Sequence, residues 1–355
     1  MTGESIDDYV ERIAREKDAR AAHGSVLIPS QPTDSAHKNL TRTQQRLMEA
    51  SSRIASDPPD RMDFLHTVMC QVGLPRSYTP ERTFERHNGH MSILLEAGKL
   101  FDGEHFVDRP LPYGTTPRLV LVHVSSEAIR TGSRTVDIGD SMRQFLTQLG
   151  MPTSGGARGG YTALKRQMES LAACRLTLGM HDQGRVVTVD AKPIKRFEAW
   201  LHQDGTQRTL WPGVLELSPD FFNTLQEHAV PLDYRALGAL KHSALALDIY
   251  TWLAHRLCRI NKPTGTKVSW QNLRDQFGEE YNDSKNFKRK FADALRQVQV
   301  GYPNARVSEV IGGLILYPSP APLAKTTVSF LQQPPASKKS EAPVDKPGDG
   351  ETCPR

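Results

Sequence analysis

The sequence predicts a helix-rich α+β chain of two units with the same order of elements, set between flexible N- and C-terminal segments. Three observations predict it. Stretches of helical period alternate with short β runs. Their order repeats once along the chain. Both ends are polar, and Gln332 to Arg355 is rich in Pro, Ser, Lys, Asp and Glu with no aromatic residue, too little apolar surface to offset ordering entropy. With 355 residues, 38% hydrophobic and 24% charged, the chain can bury cores without disulfide or metal staples.

The first segment, residues 1–60, reads as helix and linker. Ser5 to Ala22 is a charged helix with Ile6, Tyr9, Val10 and Ile13 on one side and Asp8–Arg12 and Glu11–Arg15 as i,i+4 pairs. The proline-containing HGSVLIPSQPTDSAHKN follows as a linker. Leu40, Leu47 and Ile54 then recur every seven residues until Asp57-Pro58-Pro59. Two heptads are few for a coiled coil, so an ordinary amphipathic helix is preferred to a short zipper that would make a homodimer.

The first unit, residues 61–200 with its N-terminal extension, has a helix from Pro117 to Arg130 with Leu119, Val122, His123 and Ile129 inward. Arg134 to Ile138 is a short β run. Asp140 is the expected N-cap of a second helix bearing Met142, Phe145, Leu146 and Leu149, closed by Gly150. After MPTSGGARGG a third helix spans Tyr161 to Cys174. RLTLGM and RVVTVDA are then two β runs joined by the turn His181 to Gly184.

The second unit, residues 201–325, repeats that order. Pro219 to Glu227 is a helix, and Tyr234 to Cys258 is a long one bent near Gly238. Lys267 to Trp270 is a short strand, Asn272 to Phe277 a short helix and Ser284 to Val298 a longer one. ARVSEV and GGLILYP close it as a hairpin around Ile311-Gly312-Gly313. Residues 326–355 form the disordered tail. Helix, strand, helix, turn, helix and two-stranded wing is winged-helix order, so the reading is tandem winged-helix domains.

Two helices carry chemistry suited to a DNA groove. On 161–174, Leu164, Met168, Leu171 and Ala172 share an apolar face, and Thr162, Arg166, Glu169 and Ser170 lie opposite with Lys165 at the edge. Thr162 and Arg166 are candidates for groove contacts, Lys165 and the loop residue Arg158 for phosphates. On 284–298, Phe287, Phe291, Ala294, Leu295 and Val298 face inward. Lys285 and Arg289 are the groove candidates there, and Lys288, Lys290 and Arg296 the phosphate candidates. Asp293 is the only acid within that helix. The overall balance, 45 Lys+Arg against 40 Asp+Glu, conceals this local concentration.

Other classes fit poorly. Leu237 to Cys258 is interrupted by Lys241, His242, Asp248, His255 and Arg256, so no membrane span or membrane partner is expected. MTGESIDDYVERIAREKDAR has no apolar signal region. Cys70, Cys174, Cys258 and Cys353 form no CxxC pair and fit a reduced cytoplasmic protein, as buried small hydrophobes plus one tail thiol. GGARGGYT, residues 155–162, has Tyr161 where a phosphate-binding loop needs lysine. His87 and His90 in RHNGH lack the His-apolar-His spacing of a nicking endonuclease, and no HExxH or GxSxG occurs. The expectation is a protein that is not an enzyme, with no cofactor and no metal.

The block FERHNGHMSILLEAG and the stretch from Leu111 to Leu178 resemble the plasmid replication initiators of the RepA type. The landmarks are Pro112-Tyr113-Gly114 before Pro117-Arg118-Leu119, Gly139-Asp140-Ser141 with Phe145, and Ser154-Gly155-Gly156 before Gln167-Met168. The likeness runs from about Phe84 to Tyr317. It departs at Glu169-Ser170-Leu171-Ala172, where such proteins have a basic and aromatic pair. The resemblance implies a bacterial, plasmid-encoded initiator. It would bind repeated double-stranded sites (iterons) at its origin, help open AT-rich DNA, recruit host replication proteins such as a helicase, and repress its own promoter as a dimer. The rivals are a winged-helix transcriptional regulator without an initiation role and a nicking or priming enzyme.

Overall fold

The computed structural model describes residues 41–323, apart from 183, 191, 198–212 and 279. The expected helix at Ser5 to Ala22, its linker and the tail from Gln332 lie outside the described residues. The chain is α+β and helix-rich, with several small sheets.

Arg42–Ser56 forms α1, opened by a capping box in which the Thr41 and Gln44 side chains each accept from the other's backbone N–H. Leu47 of the heptad pattern is 2% exposed within the protein's own core. The ordinary amphipathic reading therefore describes this helix, and a zipper along Leu47 is corrected. Met62–His66 (β1) leads into a short helix, Thr67–Gln71 (α2). Thr83–Asn88 (β2) and Met91–Glu96 (β3) form a hairpin, and Lys99–Phe101 (β4) with Phe106–Asp108 (β5) a smaller one.

Thr115–Thr131 (α3) is buried on nearly all sides over its first three turns, the pattern of a central helix. Thr135–Asp137 (β6) follows, then Met142–Gln148 (α4). The N-cap of α4 is Ser141, not Asp140: its hydroxyl accepts from the Gln144 N–H at 3.2 Å. Gly139, at φ +81, turns the chain so that the Asp140 N–H donates to the Gln144 side chain instead. Gly160–Ala173 is α5.

Arg175–Asp182 (β7) and Arg185–Asp190 (β8) form the expected hairpin, but its sheet is not the expected one. β7 pairs with β3 from Met91↔Met180 to Glu96↔Arg175, giving the order β2-β3-β7-β8. The pairing buries Ile93, Leu95, Leu176 and Leu178, an apolar face that three-residue β6 cannot match. β6 pairs instead with Val214–Leu217 (β10), which also pairs with Ile194–Phe197 (β9). The expected hairpin thus extends the β2–β3 sheet, while β9 and β10 pair with each other in a separate sheet with β6. The boundary expected at 200/201 falls between two strands of this one sheet.

Pro219–His228 (α6) leads to Ala229–Asp233 (β11), which pairs antiparallel with β1 from Met62↔Asp233 to His66↔Ala229. The expected long helix from Tyr234 is two: Tyr234–Leu240 (α7) and Ala244–Arg256 (α8), followed by a 3-10 turn at Leu257–Arg259. The break lies at Lys241 to Ser243, and Gly238 sits inside α7. Thr266–Ser269 (β12), Trp270–Phe277 (α9), Ser284–Gly301 (α10), Val307–Val310 (β13) and Gly313–Leu316 (β14) complete the chain. Their sheet has the order β12-β14-β13. In both β6-β10-β9 and β12-β14-β13 the first strand pairs with the last, and the middle strand lies at the outer edge.

The two units are not separate bodies. One continuous core runs from Phe145 and Met168 to Tyr250, Trp252, Phe287 and Phe291, and α1 packs on α7 and α10. At the junction Arg118 on α3 makes a bidentate pair with Asp248 on α8, Nε–Oδ1 2.6 Å and Nη2–Oδ2 2.8 Å. The remaining guanidinium donors reach the carbonyls of Leu74, Pro75 and Gly114. Gly73 packs so closely on Asp248 that a Cβ would lie 2.6 Å from its carboxylate. No helix among the described residues is long and apolar enough to cross a membrane. Cys70 and Cys174 are buried as expected, whereas Cys258 is exposed.

Candidate nucleic-acid interface

α10 follows its sequence pattern closely. Phe287, Phe291, Ala294, Leu295 and Val298 are buried against α8 and α9, and Lys285, Lys288, Arg289, Lys290 and Arg296 are exposed. Asp283 caps the helix, its carboxylate accepting from the backbone N–H groups of Lys285 and Asn286. Those bonds hold its pKa below the ordinary aspartate value. The cations differ in how they are held. Lys288 sits over the Trp270 ring at 5.7 Å, and Arg289 donates to the Asn286 side chain at 3.0 Å. Arg296 pairs with Asp293, which offsets its charge for a phosphate.

The hairpin β13–β14 lies beside this helix. Its turn is made by Ile311 and Gly312, with Gly312 at φ +87, a conformation that favours glycine. Ile311 is 97% exposed, and the Trp270 N–H anchors the turn through the Gly312 carbonyl at 3.0 Å. Lys267 on β12 is exposed close by, its Nζ 3.9 Å from where a Gly312 Cβ would stand. Sequence reasoning passed over Ile311 and Lys267. Their signal was position in the turn and in the adjoining strand, not residue type.

α5 agrees in part. Thr162, Lys165 and Arg166 are exposed, as is Arg158 in the preceding loop. Ser170, expected on the same outer face, is fully buried: α5 packs one more row of residues against the unit than its apolar positions imply. Glu169 pairs with Arg109 at 3.2 Å. The Thr162 hydroxyl donates to the Gly156 carbonyl at 2.8 Å and so orders the loop. A Cβ at Gly159 or Gly160 would meet backbone oxygens at 2.2 or 1.8 Å, so close chain packing alone requires both glycines.

Arg166 is held between two rings that the sequence did not connect to it. Its guanidinium lies 5.6 Å from the Tyr78 ring and 5.3 Å from Tyr113, and the rings meet edge to face at 5.9 Å. Such cation–π contacts restrain the side chain while leaving its N–H groups available. Tyr78 and Tyr113 lie far from Arg166 in sequence, so only the fold reveals the clamp.

The arrangement therefore offers two helices with exposed cations, each preceded by a short helix. α10 leads directly into β13–β14, whereas β7–β8 stands between α5 and β9. Among the described residues no group of His, Cys, Asp and Glu is placed to hold a metal ion.

Comparison with known proteins gives one family match. Residues 111–272 match the family described as plasmid encoded RepA protein, a span from four residues before α3 into α9. No curated protein matches. Among solved structures, a crystal structure of domains 2 and 3 of RctB matches with TM-score 0.42 and 11% identity, over 70% of this chain and 96% of that one.

Proposed function

We propose that the protein is a plasmid replication initiator that binds repeated double-stranded sites at an origin through two winged-helix units. The boundary between the units is placed after β10 rather than at 200/201. Binding leads to local opening of AT-rich DNA and recruitment of host replication proteins, and the protein represses its own promoter as a dimer. The observation that carries the reading is the matched pair of sheets, β6-β10-β9 and β12-β14-β13, each with a helix bearing exposed cations between its first and second strands in the chain. A helix of this kind beside a hairpin suits a major groove flanked by backbone. The family match over residues 111–272 supports the initiator role.

In this reading α10 is the stronger reader. Lys285 and Arg289 contact base edges, and Lys288, Lys290 and Arg296 contact phosphates. On α5, Arg166 and Thr162 face the groove, with Arg158 and Lys165 on phosphates. We predict that Arg289→Ala costs about 1–3 kcal/mol at the cognate site and relaxes sequence preference. Lys288→Ala should weaken all sequences alike and lower the salt dependence of log K by about one unit. Fluorescence anisotropy across a salt series on cognate and scrambled duplexes reads both. Wild-type binding by both variants would remove α10 from the interface. Maintenance of an origin plasmid by the protein supplied in trans separates initiation from plain transcriptional regulation.

A further inference from the structure

We propose that the first-unit segment Arg76-Ser77-Tyr78 positions both DNA-facing helices, and that Glu280, in the turn between α9 and α10, is the positioning residue through which it sets the start of α10. The inference rests on the DNA-reading role proposed for α5 and α10.

The segment is short but touches elements of both units. Toward the second unit, the Arg76 backbone N–H donates to Glu280 Oε1 at 2.8 Å, and the Ser77 hydroxyl donates to Oε2 at 3.3 Å. The Arg76 guanidinium lies 3.6 Å from Oε2 and donates to the carbonyl of Phe277, the last residue of α9. It also lies over the Tyr281 ring at 5.0 Å. Toward α5, the Tyr78 ring is one of the two that hold Arg166.

What Glu280 holds is the approach to α10. Tyr281 packs on Phe287, near the start of that helix, with ring centroids 5.6 Å apart. Arg274 on α9 donates to the Ser284 hydroxyl at 2.7 Å and to the Tyr281 carbonyl at 3.3 Å. Lys285 and Arg289 lie in the first two turns of α10, the end of a reading helix that meets base edges. The segment itself is anchored. Arg118, paired with buried Asp248, donates to the carbonyls of Leu74 and Pro75 just before it. Supporting contacts of this kind keep a binding side chain in its productive geometry without touching the ligand.

Charge separates this role from an incidental one. Glu280 is an acid at the end of a helix whose exposed side chains are largely cationic. By Coulomb's law such an acid opposes a phosphate backbone, and neutralising a bystander would tighten binding to every sequence. A positioning residue does the opposite at the cognate site, because its loss lets the first turns of α10 shift against the bases. The continuous core already joins the units, and Tyr78, 55% exposed, adds little burial to it.

Fluorescence anisotropy of the full chain on cognate and scrambled duplexes, with hydrogen exchange of the free protein, tests the proposal. We expect Glu280→Gln to lower the cognate-to-scrambled affinity ratio about tenfold, while scrambled affinity holds or rises. Amide exchange from Phe287 to Phe291 should quicken in the same variant. Tyr78→Ala should lower the ratio about threefold, and Tyr78→Phe, which keeps the ring, should restore it. A rise in cognate affinity matching the rise on scrambled DNA in Glu280→Gln would make the carboxylate a bystander and overturn the proposal. So would equal losses on both duplexes with a lowered urea midpoint, which a purely structural role would give. If Arg289→Ala discriminates less while Glu280→Gln and Tyr78→Ala discriminate as wild type does, the positioning role falls and reading by α10 stands. Quickened exchange in Glu280→Gln beside wild-type binding by Arg289→Ala would place the failure in the DNA reading and overturn the positioning role with it.

Discussion

His66 ends β1 and caps α2, with Nδ1 accepting from the Val68 N–H at 3.2 Å. Its ring is fully buried, stacked on Phe221 and edge-on to His228. Burial, with a smaller contribution from His228, lowers its pKa from 6.5 to about 4. Between those values the unfolded chain binds a proton that the folded chain refuses, so stability rises with pH across the window. The contribution is present above pH 6.5 and is lost as pH falls toward 4; it amounts to about 3 kcal/mol. We predict that the urea midpoint falls on acidification through this range. His66→Asn, which retains a capping acceptor, should flatten that slope. A variant as acid-sensitive as wild type would show that other groups carry the pH dependence. The residue scale also shows why the Arg166 clamp was hidden. A tyrosine at 78 and one at 113 look alike in sequence whether they pack on an arginine or face water.

Elements were legible wherever a single helix face decided them. The inward row of α10 could be read because Phe287, Phe291, Ala294, Leu295 and Val298 recur at helical period, and burial follows that period. Breaks and pairings were less legible. The segment from Tyr234 has apolar residues throughout, so its periodicity runs on through Lys241 to Ser243. What stops it is local: the Ser243 hydroxyl accepts from the Ala246 N–H at 3.2 Å and starts α8 afresh. Ser243→Ala should therefore cost about 1 kcal/mol and Ser243→Gly only a few tenths, read from urea unfolding. Equal losses would mean that the hydroxyl is not the cap. Strand partners were harder still. Alternation in RLTLGM announces a strand but does not name its neighbour. The choice of β3 by β7 and of β6 by β10 was made by apolar faces brought together from distant parts of the chain.

At the scale of the molecule, the two units share a continuous core, the β1–β11 strand pair and the buried Arg118–Asp248 ion pair. The Arg118–Asp248 bridge is the most specific of these links, because both charges are buried and the guanidinium is also bound to three carbonyls. Asp248→Asn leaves a buried cation without its counter-charge and should cost about 3–5 kcal/mol. The double change Arg118→Met with Asp248→Leu should recover much of that loss, since it removes the desolvated charges together. An unchanged midpoint in Asp248→Asn would show that the bridge adds no stability. The same junction holds the two proposed readers in one relative orientation. A rigid pair reaching successive major grooves, about 10–10.5 bp apart, cannot follow a half-turn insertion between their sites. We therefore expect an insertion of about 5 bp, half a helical turn, to abolish the tight complex with the wild-type protein. The Asp248→Asn protein, with a loosened junction, should tolerate that insertion better while binding the uninterrupted site less tightly. Footprints confined to one half-turn on the uninterrupted site would mean that a single unit does the reading. The rigidity of the junction would then serve stability alone.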